Sequence, residues 1–107
     1  MNLFLKIDTT NFEKAHLSLW QATSGSYALR QGKKLLVKAS FKAQKKLSDK
    51  LLPAIIKLIK KAGISLKDLS LVEVAKSETG SFTGQRVGMA VAKALGFGLG
   101  IKVKLKG

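Results

Sequence analysis

The stretch Thr79-Gly80-Ser81-Phe82-Thr83-Gly84-Gln85-Arg86-Val87-Gly88 decides how this chain folds. It follows a strand-like run, Leu71-Val72-Glu73-Val74-Ala75, and leads into a helix of small residues, so it marks a strand-to-helix turn. Gly80 and Gly84 permit backbone geometries that a side chain disfavours, and Ser81 or Thr83 can cap the first amides of the helix. Helix starts of this kind are anion sites in many proteins. Here Glu78 sets a negative charge beside the turn, and the Lys-Ser/Thr ending of a P-loop is absent. The motif therefore reads as a tight turn that fixes the helix, with Arg86 either bonding loop carbonyls or facing a partner.

Working outward, the helix after the motif is expected over Phe82 to Leu95. Gly84, Gly88, Ala92 and Gly96 recur every four residues, and Val87, Val91, Ala94 and Leu95 fill the adjoining side. Small residues at that spacing let a sheet or another helix approach closely. Upstream, the apolar period is helical from about Lys42 to Ala62: Leu47, Leu51, Ile55, Leu58, Ile59 and Ala62 form one stripe, with lysines off it. Pro53 removes an amide inside this helix and predicts a kink; Gly63 is its natural stop. Ser65 to Asp68 makes a capped turn before the strand from Leu71 to Lys76.

At the N-terminal end, Leu3, Leu5 and Ile7 alternate with Phe4, Lys6 and Asp8, and Ala15, Leu17 and Leu19 alternate with His16, Ser18 and Trp20. These are period-two patterns for two antiparallel strands. Thr23-Ser24-Gly25-Ser26 and Gln31-Gly32-Lys33-Lys34 are both credible turns. The second leaves Leu35 to Phe41 as a third strand, with Tyr27 to Arg30 prolonging the second strand past a bulge. Ile101 to Lys106 alternates as a last strand.

Four segments together resemble the TsaB (YeaZ) family of tRNA threonylcarbamoyladenosine biosynthesis proteins. They are Leu3 to Thr10 (L-F-L-K-I-D-T-T), Ser48 to Pro53 (S-D-K-L-L-P), Ile64 to Leu69 (I-S-L-K-D-L) and the G-S-F-T-G-Q-R-V-G motif itself. Glu78-Thr79 stands where the family usually has Gly-Pro. The resemblance implies an α/β, ribonuclease-H-like half-domain of the actin/Hsp70-type ATPase kind: a five-stranded mixed sheet of order 3-2-1-4-5 with two helices on one face. It covers residues 1–107 as a single domain, the N-terminal of the family's two halves. Members of this fold that handle ATP hold it between the two halves, so no cofactor is expected for one half, and Asp8 reads as a turn residue.

Alternation assigns the sheet faces. Leu3, Leu5, Ile7, Val72, Val74, Ile101, Val103 and Leu105 form an apolar face for both helices to cover. Lys6, Asp8, His16, Ser18, Glu73, Lys102, Lys104 and Lys106 form a polar face suited to water.

Composition sets the outer bounds. The chain has 107 residues, enough for one modest core, and no cysteine, which excludes thiolate chemistry and disulfides. No apolar run approaches a membrane span and the start lacks a signal-peptide layout, so a cytoplasmic address is expected, away from membranes. The net charge of +14 comes from 18 Lys and 2 Arg against six acidic residues. That charge predicts salt-sensitive, weakly specific affinity for RNA, though Lys-for-Arg replacement across a genome produces the same bias.

No catalytic constellation or metal cluster is visible: His16 has no nucleophile arranged around it, and the acidic residues are scattered. The resemblance implies a noncatalytic partner subunit in forming threonylcarbamoyladenosine at tRNA position 37. Its partner would be a TsaD-like catalytic chain, or a second copy, met through the helix face: Leu51, Leu52, Ile55, Ile59, Gly84, Val87, Gly88, Val91, Ala92 and Leu95. A TsaE-like ATPase is a further implied partner, and tRNA would be touched weakly or indirectly. Gly88→Leu is then expected to abolish pairing and leave the fold intact. Two other classes remain open. One is a small RNA-binding module using Phe4, Lys6, Trp20, Lys102 and Lys104. The other, on the family's glycoprotease label, is a hydrolase.

Overall fold

Alternation in the first eight residues becomes β1 (Asn2–Asp8), which pairs antiparallel with β2 (Lys14–Ala22); β2 pairs in turn with β3 (Lys33–Lys42). This computed structural model describes residues 2–11, 13–22, 33–43 and 46–106. The chain continues through α1 (Leu47–Lys61), a 3-10 turn (Leu66–Asp68), β4 (Leu69–Ala75), α2 (Phe82–Leu99) and β5 (Lys102–Lys106). β4 joins β1 in parallel and β5 joins β4 in parallel, which gives the expected order β3-β2-β1-β4-β5.

Two of the described turns are held by side chains. Asp8 Oδ1 accepts from the Thr10 amide at 3.1 Å and the Thr10 hydroxyl at 2.6 Å, and Asn11 Oδ1 accepts from the amides of Glu13 and Lys14. Asp8 is a turn residue, as the sequence suggested. Ser65 and Asp68 bond reciprocally around the 3-10 turn.

The core lies between the sheet and the two helices. Leu5, Ile7, Leu17, Leu19, Val72 and Val74 meet Leu51, Ile55 and Leu58 of α1, all buried. Each such aliphatic side chain contributes about 1.5–3 kcal/mol on leaving water. At the sheet's edge the expected apolar face is incomplete: Ile101 precedes β5 and Leu105 is exposed.

Several element boundaries differ from those expected, among them β4, which runs from Leu69 to Ala75. β3 runs to Lys42 and α1 starts only at Leu47, because the Ala43 amide bonds Glu13 O at 2.9 Å and carries the strand pairing onward. α1 continues through Pro53. α2 extends a turn past Leu95 and stops at Gly100, whose φ of 68° is the left-handed cap. A bulge not expected from the sequence sits in β3, where Leu19 faces Val37 and Trp20 faces Leu35, leaving Leu36 unmatched. The Thr23–Ser26 turn and the Tyr27–Arg30 extension lie outside the described residues, as do Gln31 and Gly32 of the second turn.

Candidate functional site

The motif loop locks β1 to the start of α2. Ser81 Oγ caps the helix by accepting from the Gly84 amide at 3.0 Å, and the Ser81 amide donates to Thr10 O at 2.6 Å. The buried Thr9 hydroxyl donates to Gly84 O at 2.7 Å. A Cβ on Gly80 would lie 2.8 Å from Thr10 O, and one on Gly84 would strike Thr9 O, so both glycines are required by close approach. Thr83 is exposed and plays no capping part.

Gln85, unremarked in the sequence, completes the lock. Its Nε2 donates to the carbonyls of Ser77 at 2.9 Å and Ser81 at 3.0 Å, and its Oε1 accepts from the Ser77 amide at 2.9 Å. The only sequence signal was an amide side chain, able both to donate and to accept, at the fourth position of a helix. The amides of Ser77, Thr79, Ser81, Gly84 and Gln85 are all bonded within the chain. These five donors are therefore committed within the chain, in keeping with a structural turn.

The expected partner face needs correction. Leu51, Ile55 and Ile59 are buried in the core, as are Gly84, Gly88 and Ala92 on α2. The small-residue stripe faces the sheet: a Cβ on Gly88 would run into Thr9 Oγ1, and one on Gly96 would sit 2.6 Å from Val103 Cγ2. Leucine at Gly88 would thus break the fold, and it cannot serve as a clean test of pairing. Val87, Val91 and Leu95 are half-buried, and Leu52 is outward. On the two helices the exposed large apolar side chains are instead Phe97 at 93%, Phe82 at 73%, Ile56 at 43% and Leu52 at 41%. Sequence reading missed Phe97 because its helix was ended at Leu95, and Ile56 because it lies off the core stripe. The Arg86 guanidinium stands 5.5 Å from the Phe82 ring centre, a cation–π contact on the same outward side. Phe82, Arg86, Met89, Lys93 and Leu105 border a cleft of about 640 Å³ between α2 and the sheet edge.

The other face of the sheet gathers the five residues singled out for nucleic acid. Phe4 pairs with Trp20 across β1 and β2, and Leu71 and Lys102 continue the same row. Lys6 pairs with Ser18 and with Glu73, and Lys104 extends that row. The Phe4 and Trp20 rings are nearly parallel, 10° apart with centroids separated by 6.4 Å, and Trp20 Nε1 donates to Ser18 Oγ at 2.8 Å. The face departs from expectation in one respect: Glu73 is only 5% exposed, with Lys106 Nζ 3.6 Å from its carboxylate. Lys33 reaches in from β3, its ammonium 5.8 Å from the Trp20 ring centre. The hydrogen bond and then the charge of Lys106 hold Lys33 below lysine's ordinary pKa; partial desolvation and Lys6 act the same way, and Glu73 opposes them. A cavity of about 660 Å³ adjoins this cluster, lined by Asp8, His16, Trp20, Leu35, Lys38 and Ser40 among others. Among the described residues, no three His, Cys, Asp or Glu side chains lie together as a metal site.

Comparison with known proteins places this geometry. A family model described as TsaD, tRNA N6-adenosine threonylcarbamoyltransferase, matches residues 41–104. The chain belongs to this family. Within it the likeness is to TsaB and YeaZ, as the four segments implied. The tRNA threonylcarbamoyladenosine biosynthesis protein TsaB of Buchnera aphidicola subsp. Schizaphis graminum (strain Sg) is 37% identical over 71 residues, 66% of this chain and 33% of that protein. This chain therefore spans about a third of the length of that relative. YeaZ from Pseudomonas aeruginosa superposes with a TM-score of 0.76 at 23% identity, over 99% of this chain and 44% of YeaZ. Thermus thermophilus RuvC matches with a TM-score of 0.69 at 13% identity, over 98% of this chain and 63% of RuvC. The fold is ribonuclease-H-like. No helix among the described residues is long and apolar enough to cross a membrane.

Proposed function

We propose that this chain is a noncatalytic subunit in the formation of tRNA N6-threonylcarbamoyladenosine, and that it binds a TsaD-like catalytic chain through the outer surfaces of α1 and α2. Family membership and the relative named as a biosynthesis protein of that nucleoside support the process. The observation that carries the partner surface is Phe97, 93% exposed on α2, together with Phe82 and the Leu52–Ile56 pair one turn apart on α1. Four large apolar side chains turned outward on so charged a chain are a docking surface for protein.

The test uses variants on that outward side only. Phe97→Glu and the Leu52→Glu/Ile56→Glu pair are expected to abolish co-elution with the TsaD chain of the same organism, with thermal melts unchanged. Their effect on self-association decides whether a second copy uses the same surface. Absence of any association by the unaltered chain at micromolar concentrations would overturn the proposal.

A further inference from the structure

A second surface lies on the opposite side of the sheet from the helices and is independent of the pairing just proposed. Lys106 Nζ stands 3.6 Å from one buried carboxylate, Glu73, with Lys6 paired to Glu73 from the adjoining strand and the Lys33 ammonium 5.8 Å from the Trp20 ring centre. A single carboxylate cannot neutralise these three lysines, so the face keeps a net positive charge that attracts an anion. Directly beside them lies the Phe4–Trp20 pair, with Lys38, Lys102 and Lys104 on flanking strands of the same face. Aromatic rings next to a cluster of lysines are the elements that hold unpaired bases and their phosphates. The adjoining cavity offers Asp8, His16 and Ser40, polar groups suited to bonding a ribose hydroxyl.

We infer that this open face binds single-stranded RNA, a base packing on the Phe4–Trp20 pair and its phosphates lying among Lys6, Lys33 and Lys106. The occupant follows from charge and ring chemistry together. Duplex nucleic acid has no free base face to offer the rings, and a polyanion without bases makes no use of them.

Trp20 is the sole tryptophan of the chain, so its fluorescence reports the site directly. Titration with a single-stranded RNA of about 10 nucleotides, within the span one such platform covers, is expected to quench it. Trp20→Ala, followed by anisotropy of a labelled RNA, is expected to weaken binding about 5- to 100-fold, the loss of one stacked base. Trp20→Phe is expected to restore most of it, which separates stacking from a general effect on the sheet. Lys33→Gln, on an exposed edge strand, is expected to lower the slope of log K against log salt by about 0.7, the share of one phosphate. Three results overturn the inference: no quenching, equal binding by inorganic polyphosphate or duplex RNA, or equal binding by DNA of the same sequence. Correctly folded Trp20→Ala with undiminished affinity would overturn it as well.

Discussion

Gly88 has no room for a methyl group. A Cβ there would meet Thr9 Oγ1, whose hydroxyl is already bonded to Gly84 O. Gly88→Ala is therefore expected to destabilise the chain by about 1–3 kcal/mol, the usual cost of overpacking. Gly98, ten residues on in the same helix, faces open space, and Gly98→Ala is expected to add about 0.5–1 kcal/mol of stability. Urea midpoints of the two variants should move in opposite directions; equal shifts would reject close packing as the reason for the stripe. Gln85 supplies the second test at this scale. Its amide donates to two carbonyls, so Gln85→Glu sets carboxylate oxygens against carbonyl oxygens and is expected to cost about 1–3 kcal/mol by the same measurement. The four-residue repeat was legible in the sequence, but its target was not. Nothing in Gly84, Gly88, Ala92 and Gly96 by themselves says whether a sheet or a second helix fits against them.

The two helices show where periodicity stops being informative. The α1 stripe predicted Leu47, Leu51, Ile55, Leu58, Ile59 and Ala62 as one face; the first five are buried, and Ala62, the C-cap, is half-buried. Leu52 and Ile56 lie off that stripe and are of the same residue types, so composition alone could not separate core from outward surface. The separation is measurable. Leu51→Ala is expected to cost about 2–5 kcal/mol of stability, while Leu52→Ala should change it by less than about 0.5 kcal/mol. Comparable losses at both positions in denaturant titrations would mean that α1 is rotated from the orientation described. The ends of the elements were less legible because tertiary contacts set them. α1 begins late because Ala43 still pairs with Glu13, and α2 ends late because Gly96 packs on Val103 and leaves Gly100 to turn the chain. Glu13 is remote in sequence from the boundary it controls, whereas Val103 lies just past the end of α2.

At the scale of the whole molecule, strand order was legible because two strand–helix–strand crossovers and one antiparallel meander leave few ways to build a sheet. The charge on the open face was less so: Glu73 alternates as a solvent-facing residue yet is only 5% exposed, with Lys106 of β5 drawn in to its carboxylate. That crowding belongs to a larger imbalance, a net charge of +14 on a body whose radius of gyration is 13.5 Å. The Debye length is about 30 Å at 0.01 M salt and about 10 Å at 0.1 M. In dilute salt every charge therefore feels the whole molecule, and near physiological salt it feels little beyond its neighbours. Unfolding spreads the same charges apart, so self-repulsion weighs against the folded state and salt relieves it. The chain is expected to unfold in a single transition whose urea midpoint rises between these two salt concentrations with an unchanged slope. A midpoint that fell with salt would mean that specific pairs such as Lys106–Glu73 outweigh the general repulsion, and a second transition would mean that the sheet and helices do not unfold as one unit.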